Sequence, residues 1–159
     1  MVTWRGDQSG VDSFARIYEA DGTPRSGEFR VNESTGSSEH QPSVTALDGG
    51  GFVAAWYNAN SWHTRDGDYA YRDTIAQIFD ADGRRIDSEF RVADGGSGHQ
   101  SSPTVTRVSG GGFAVAYESS NAGGQGDGSG YAIVQAIYSD PAVFAALVAE
   151  GPVIDGLSA

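Results

Sequence analysis

Acidic residues in this chain cluster in short glycine-containing segments, where their oxygens could bind a hard cation. Two carboxylates one residue apart precede a glycine in Asp80-Ala81-Asp82-Gly83, and Glu19-Ala20-Asp21-Gly22 has the same arrangement. Calcium prefers several oxygen ligands in a flexible loop, so it is the candidate cofactor. The alternative is a solvated hairpin turn, because the third carboxylate and distal glutamate of an EF-hand loop are missing. The candidate metal ligands are Asp66, Asp68, Asp80, Asp82 and Asp127.

Aromatic side chains form a second group with binding chemistry, at and after the segment Phe52–Trp56. Flat rings beside short polar side chains are typical of sites that bind sugars or protein surfaces. Such sites usually lie on loops held by a rigid scaffold. The alternative is that some of these rings cover the edge of a sheet. The candidate ligand-binding residues are Trp56, Tyr57, Trp62, Tyr69 and Tyr71.

Motifs for catalysis are absent from the sequence. There is no Gly-x-Ser-x-Gly elbow and no His-Glu-x-x-His zinc helix, and the absence of cysteine excludes disulfides and thiolate chemistry. His40-Gln41 and His99-Gln100 resemble each other as repeat positions, which favours a structural role for both histidines. We expect a protein that is not an enzyme, although a glycosidase-like pair of carboxylates stays open.

Charge and length narrow the class of partner. The 159 residues fit one domain, and 21 acidic against 10 basic side chains give a formal net charge of −11. Such a field repels nucleic acid and anionic membranes, so we expect no nucleic-acid partner. The longest apolar run, Val143–Ala149, is too short to span a membrane, and the first residues turn polar at once.

The elements that must position these residues recur about every 61 positions. Residues 14–31 match residues 75–92 at half of their positions without a gap. Pro42-Ser43-Val44-Thr45 returns as Pro103-Thr104-Val105-Thr106, and the glycines before Phe52 return before Phe113 at the same spacing. Self-similarity at a fixed spacing is typical of repeat architectures.

Each full repeat predicts four strands that form an antiparallel meander. In the central copy we expect them at Ser43–Leu47, Phe52–Trp56, Thr74–Phe79 and Ser88–Val92. The other two copies are incomplete, and we expect the first to start within the second strand of a unit. The prediction is an all-β fold with about ten strands, or two and a half four-stranded antiparallel meanders in an incomplete β-propeller-like array. An open stack of two or three sheets is the alternative.

The last part of the chain has a different pattern. We expect residues 1–138 to form the β-repeat domain and residues 139–159 to form a short C-terminal helix and tail. Asp140 is a good cap, Pro141 suits the first helical position and Gly151 ends the segment. An apolar helix there could cover the edge of the last sheet, and a type I secretion signal is the alternative.

Several of these segments together resemble a known group of repeats. They are Val31-Asn32, Gln41-Pro42-Ser43-Val44, Gly50–Trp56, Ala76–Gly83 and Glu89-Phe90-Arg91-Val92. The pattern is similar to the repeats of large secreted bacterial proteins that often carry haemolysin-type calcium-binding (RTX) repeats. The resemblance covers about residues 2–138 and implies a propeller-like fold in a secreted or surface-attached protein. Tyr117 departs from the pattern, since it stands where Trp56 lies in the central copy.

The functional expectation is a non-enzymatic binding or adhesion module of a secreted or surface bacterial protein. Its partner would be a glycan or a cell-surface protein, and further repeats or other copies of the chain would complete the array of sheets. Two alternatives stay open at this point. The chain could be an accessory module of a secreted carbohydrate-active enzyme or protease, or it could be a structural spacer.

Overall fold

The computed structural model describes residues 1–6, 11–48, 50–59, 72–92, 98–109, 111–120 and 132–138. Within these residues the chain is all-β, without a helix, and its ten strands lie in groups of three, four and three, which confirms the predicted count of about ten. The strands are β1 Val2–Gly6, β2 Asp12–Arg16, β3 Phe29–Arg30, β4 Ser38–Ala46, β5 Phe52–Ala59, β6 Asp73–Phe79, β7 Arg85–Arg91, β8 Gln100–Arg107, β9 Phe113–Ser119 and β10 Ala132–Tyr138. The C-terminal helix expected within residues 139–159 lies outside the described residues.

The strands form three antiparallel sheets. Sheet 1 has the order β1-β2-β3, sheet 2 the order β4-β5-β6-β7, and sheet 3 the order β10-β9-β8. One hydrophobic cluster joins sheet 1 to sheet 2, and a second joins sheet 2 to sheet 3. Sheet 2 is therefore the middle layer, and both of its faces are covered.

The apolar sequence of strand β5 follows from its position in the middle layer. Side chains of a strand alternate between the two faces, so a strand that is covered on both faces needs a continuous apolar run. Residues 52 to 56 of β5 are all buried. Phe52, Ala54 and Trp56 belong to the cluster with sheet 1, whereas Val53 and Ala55 belong to the cluster with sheet 3. The prediction that this segment is buried on both faces is confirmed.

The two interfaces between sheets contain the same contact at positions about 61 residues apart. Phe52 pairs with Phe79 and their rings stack at 4.8 Å. Phe113 pairs with Tyr138 in sheet 3, where the rings stack at 4.7 Å. The Phe52 pair packs towards sheet 1 and the Phe113 pair towards sheet 2. Each sheet therefore presents the same kind of side chain to the sheet that precedes it in the chain.

Tight turns close one end of the stack, which we call the turn end. The N–H of Asp80 donates to the carbonyl of Arg84 at 2.9 Å, and Glu19 makes the matching bond to Thr23 at 2.8 Å. Gly83 has a φ of 84°, a conformation in which glycine avoids the strain of a side chain. These bonds confirm the turn that Asp82-Gly83 predicts.

Candidate functional site

The opposite end of the stack, which we call the loop end, carries the candidate site. In sheet 2 this end contains the start of β4, the end of β5 and the start of β6, because Ser38 pairs with Ala59 and Asn58 pairs with Asp73. Residues 60–71, which connect β5 to β6, contain most of the predicted ligand-binding aromatics. The described residues at this end therefore include those that flank this segment in the sequence.

A compact group of one cationic and two aromatic side chains lies at the loop end of sheet 2. His40 of β4 pairs with Tyr57 of β5, and the two rings stack with centroids 5.1 Å apart and planes inclined by 19°. The guanidinium carbon of Arg72 lies 5.3 Å from the centre of the Tyr57 ring, a distance at which a cation is attracted to an aromatic face. We call His40, Tyr57 and Arg72 the ring cluster. His40 and Tyr57 are half-buried and Arg72 is exposed, so the cluster is accessible from solvent.

Backbone geometry fixes the ring cluster from two sides. The register of β4 against β5 shifts between His40 and Ser43, and Gln41 within this bulge has a φ of 50°. A bulge redirects the side chains on either side of it, and here it follows directly after His40. On the other side, the carbonyl of Arg72 accepts a 2.7 Å hydrogen bond from the N–H of Gln100 in sheet 3. The backbone of Arg72 is therefore held by the neighbouring sheet.

The ring cluster is not a requirement of the repeated fold. The bulge recurs in sheet 3 between Ser101 and Thr104, where Ser102 has a φ of 54°. At the position that corresponds to Tyr57, however, sheet 3 has Glu118, and its carboxylate accepts hydrogen bonds from the hydroxyls of Ser101 and Ser102. The same scaffold thus carries aromatic rings in one sheet and short polar groups in the next.

Glu39, the residue before His40 in β4, has a buried carboxyl. Glu39 is 1% exposed, and one of its oxygens accepts a 2.5 Å hydrogen bond from the Ser37 hydroxyl. Its other oxygen, Oε2, has no hydrogen-bond partner. Burial raises the pKa of Glu39 to about 7; hydrogen bonds from Ser37 and Trp56 lower it, and the charges of Glu89 and Asp12 raise it further. Glu39 therefore titrates near neutral pH.

The backbone of Glu39 also links sheets 1 and 2. Its N–H donates to the carbonyl of Val11 at 2.6 Å, as Gln100 does to Arg72 between sheets 2 and 3. Nearby, the Asn32 side chain accepts a bond from the Ser13 N–H at 3.0 Å and donates to the Asp12 carboxylate at 2.8 Å. The loop end thus joins each sheet to the next through a backbone hydrogen bond, whereas the buried Asn32 ties β2 to the segment after β3 within sheet 1.

The predicted ligand-binding residues fall into three groups. Tyr57 belongs to the ring cluster. Trp56 is 1% exposed and packs in the core between sheets 1 and 2, because neighbouring residues of a strand point to opposite faces. Trp62, Tyr69 and Tyr71 lie outside the described residues. His40 and Arg72 were missed as site residues, since only the register of β4 against β5 and the start of β6 bring them to Tyr57.

The predicted calcium ligands are divided in the same way. Asp66, Asp68 and Asp127 lie outside the described residues. At the turn end, Asp80 Oδ1 accepts hydrogen bonds from the N–H groups of Asp82 and Arg84, at 2.9 and 2.8 Å. Arg84 also forms ion pairs with both carboxylates, at 3.8 and 3.4 Å. Among the residues that the structure describes, no group of three or more metal-binding side chains is present.

The expected equivalence of His40 and His99 is corrected by the strand registers. His40 pairs with Tyr57, and the matching pair in sheet 3 is Ser101 with Glu118. Because the two bulges keep the 61-residue spacing, His40 corresponds to Ser101. The two extra serines before Pro103, Ser101 and Ser102, shift the histidine and glutamine in the sequence, but the bulge keeps its position in the sheet.

A groove of about 480 Å³ lies between sheets 1 and 2 on the side of β3 and β7. Arg85 at its border donates hydrogen bonds to the carbonyls of Arg30 and Asn32, at 2.9 and 3.0 Å. This guanidinium therefore joins the two sheets and is not directed at a ligand. The groove is lined by Asp12, Phe14, Phe29, Arg30, Phe79, Gly83 and Arg85.

Comparison with known proteins does not assign this chain to a family. No family model, curated protein sequence or solved structure matches the chain. In the described part of the chain there is no helix with the length and apolar character needed to cross a membrane.

Proposed function

We propose that this chain is a non-enzymatic binding or adhesion module of a secreted or surface-attached bacterial protein. The ring cluster is the observation that carries the proposal. It combines partly exposed aromatic side chains with a cation at the two ends of the segment 60–71, and it is absent from the matching position of sheet 3. A glycan or a cell-surface protein suits such a site, because aromatic faces bind the apolar faces of sugars and protein side chains.

The sheets would act as a rigid, propeller-like support for this site. The support for this arrangement is the repetition of the same stacked ring pair and the same backbone link at both interfaces between sheets. In a propeller each blade packs face to face on the next, which is the relation that sheets 1, 2 and 3 have to one another. The resemblance to repeats of secreted bacterial proteins agrees with this proposal.

The proposal is tested with a glycan array and with binding to intact bacterial and host cells. The wild-type chain is expected to bind a defined set of glycans or one cell type, and Tyr57→Ala should remove most of this binding without loss of folded structure. Trp62→Ala and Tyr69→Ala should have the same effect if the segment 60–71 completes the site.

The matched control is Glu118→Ala, which changes the corresponding position of sheet 3. This variant should bind as the wild type does. Equal loss in Tyr57→Ala and Glu118→Ala would contradict a site at the ring cluster. A wild-type chain that binds no glycan and no cell would favour a structural spacer, and turnover of a polysaccharide or peptide would favour an enzyme.

A further inference from the structure

The two outer faces of the stack carry the exposed apolar side chains of the described residues. Ile133 and Ile137 of β10 are 73% and 53% exposed, and Val2 of β1 is 52% exposed. Strand alternation assigns each of them to a definite face. In sheet 3, Val134, Ala136 and Tyr138 pack towards sheet 2, so Ile133 and Ile137 lie on the opposite face.

The exposed residue of sheet 1 lies on the opposite outer face. Ala15 of β2 belongs to the core with sheet 2, and Thr3, which pairs with Ala15, bonds to the carbonyl of Pro42 in sheet 2. The neighbours of Thr3 in β1, Val2 and Trp4, therefore face away from sheet 2. Trp4 stacks with Phe14 on that side, with ring centroids 6.5 Å apart.

Each outer face carries residues that correspond to one side of the contacts between neighbouring sheets inside the molecule. Ile137 pairs with Ala114 in sheet 3 as Ile78 pairs with Val53 in sheet 2. Ile78 is 2% exposed because sheet 3 covers it, whereas Ile137 is 53% exposed and no described sheet packs on its face. At the other end, Trp4 pairs with Phe14 as Trp56 pairs with Ile75, and sheet 1 covers the latter pair.

We propose that the β9–β10 face of one copy docks on the β1–β2 face of a second copy, so that the chain associates head to tail. A second copy fits these faces because its β1–β2 face would meet the β9–β10 face as sheet 2 meets sheet 1 and sheet 3 meets sheet 2 within one chain. The two patches are different surfaces, so the contact is heterologous and leads to a ring or to an open filament. This inference does not depend on the ring cluster or its ligand.

The test uses the complete 159-residue chain in sedimentation velocity, from micromolar to millimolar concentration. The wild type should form species larger than a dimer as concentration rises. Ile133→Asp combined with Ile137→Asp disables one face, and Val2→Asp disables the other. Each variant should sediment as a monomer, and circular dichroism should show unchanged strand content because the altered side chains are exposed.

Ser88→Asp, on an exposed position of β7, adds a carboxylate away from both faces and should associate as the wild type does.

An equimolar mixture of the two face variants distinguishes head-to-tail docking from other contacts. One intact face remains on each variant, and the two intact faces are complementary. The mixture should therefore form a heterodimer and no larger species. A wild type that stays monomeric at all concentrations would overturn the proposal. Full association of Val2→Asp alone would also overturn it, because contact between two identical β10 faces needs no β1.

Discussion

Glu39 and Gln100 occupy the same position in successive sheets, and each donates its backbone N–H to a carbonyl of the sheet before it. Their side chains differ in charge. The Gln100 oxygen accepts a 2.9 Å hydrogen bond from the N–H of Thr74, whereas Oε2 of Glu39 has no partner. At this buried position sheet 3 thus has a neutral amide, whereas sheet 2 has a carboxylic acid.

Glu39 should make the protein less stable as pH rises towards neutrality. Its pKa is about 7 in the folded protein, against 4.5 for an ordinary glutamate, so between these values only the folded state retains the proton. The contribution of Glu39 to the free energy of unfolding is then fully present below about pH 4.5 and falls by roughly 3 kcal/mol as pH rises through 7. Glu39→Gln should remove this decline and be more stable than the wild type at about pH 8. Denaturant unfolding over a pH series measures both effects.

The reverse exchange provides the control for Glu39. Gln100→Glu places a carboxyl at the corresponding buried site and should introduce a similar decline with pH. Parallel stability curves for the wild type and Glu39→Gln would show that Glu39 does not titrate in this range.

Ile78 and Ile137 occupy corresponding positions in sheets 2 and 3. Variants at the two positions therefore measure how much burial under a neighbouring sheet contributes to the free energy of unfolding. Ile78→Ala should lower the free energy of unfolding by about 2–5 kcal/mol, because it leaves a cavity in the core between sheets 2 and 3. Ile137→Ala should change it by less than about 0.5 kcal/mol, since Ile137 is 53% exposed. Both are measured by urea unfolding at low protein concentration, so that association does not contribute. Similar losses for the two variants would mean that a partner covers Ile137.

The ion pair between Arg91 and Asp73 should contribute more to stability than the ion pair between Arg84 and Asp82 at the turn end. Arg91 Nη2 lies 2.8 Å from Asp73 Oδ2, and the Asp73 side chain is only 10% exposed. Arg91→Met would remove this ion pair from a largely buried carboxylate, at a cost of about 1–3 kcal/mol after allowance for the partial exposure of Arg91. Arg84→Met, whose side chain is 79% exposed, should cost at most about 0.5 kcal/mol. Thermal unfolding at two salt concentrations measures both, and equal losses would contradict the difference in burial.

Asp80 should stabilise its turn whether or not calcium is present. The carboxylate accepts two backbone N–H groups, so Asp80→Ala is expected to cost about 1–2 kcal/mol in chelator and in calcium alike. Unfolding of the variant and the wild type under both conditions is the measurement. A loss that appears only in calcium would instead identify Asp80 as a metal ligand.

The strands of the middle sheet could be predicted from sequence because their apolar pattern is local. The run from Phe52 to Trp56 predicts a strand covered on both faces, and β5 is one. The start of β4 could not be predicted, because Gln41 and Pro42 interrupt the alternation at the bulge and hide the strand residues before it. Strand β4 begins at Ser38, before the predicted start at Ser43.

The site was only partly accessible to sequence analysis. Aromatic composition singles out Tyr57, but it gives the same weight to Trp56, which strand alternation turns into the core. His40 and Arg72 come from other strands, and only register brings them to the Tyr57 ring. Long-range pairing of this kind leaves no local pattern in the chain.

The division between a turn end and a loop end makes the stack a natural display scaffold. Ala59 and Arg72 mark the two points at which the chain leaves and re-enters the middle sheet, and both are fixed by strand pairing or by a bond to the next sheet. Peptides of varied length and composition could be grafted between them while the layers beneath stay packed. Selection for new specificities could then act on one segment without a search for a new fold.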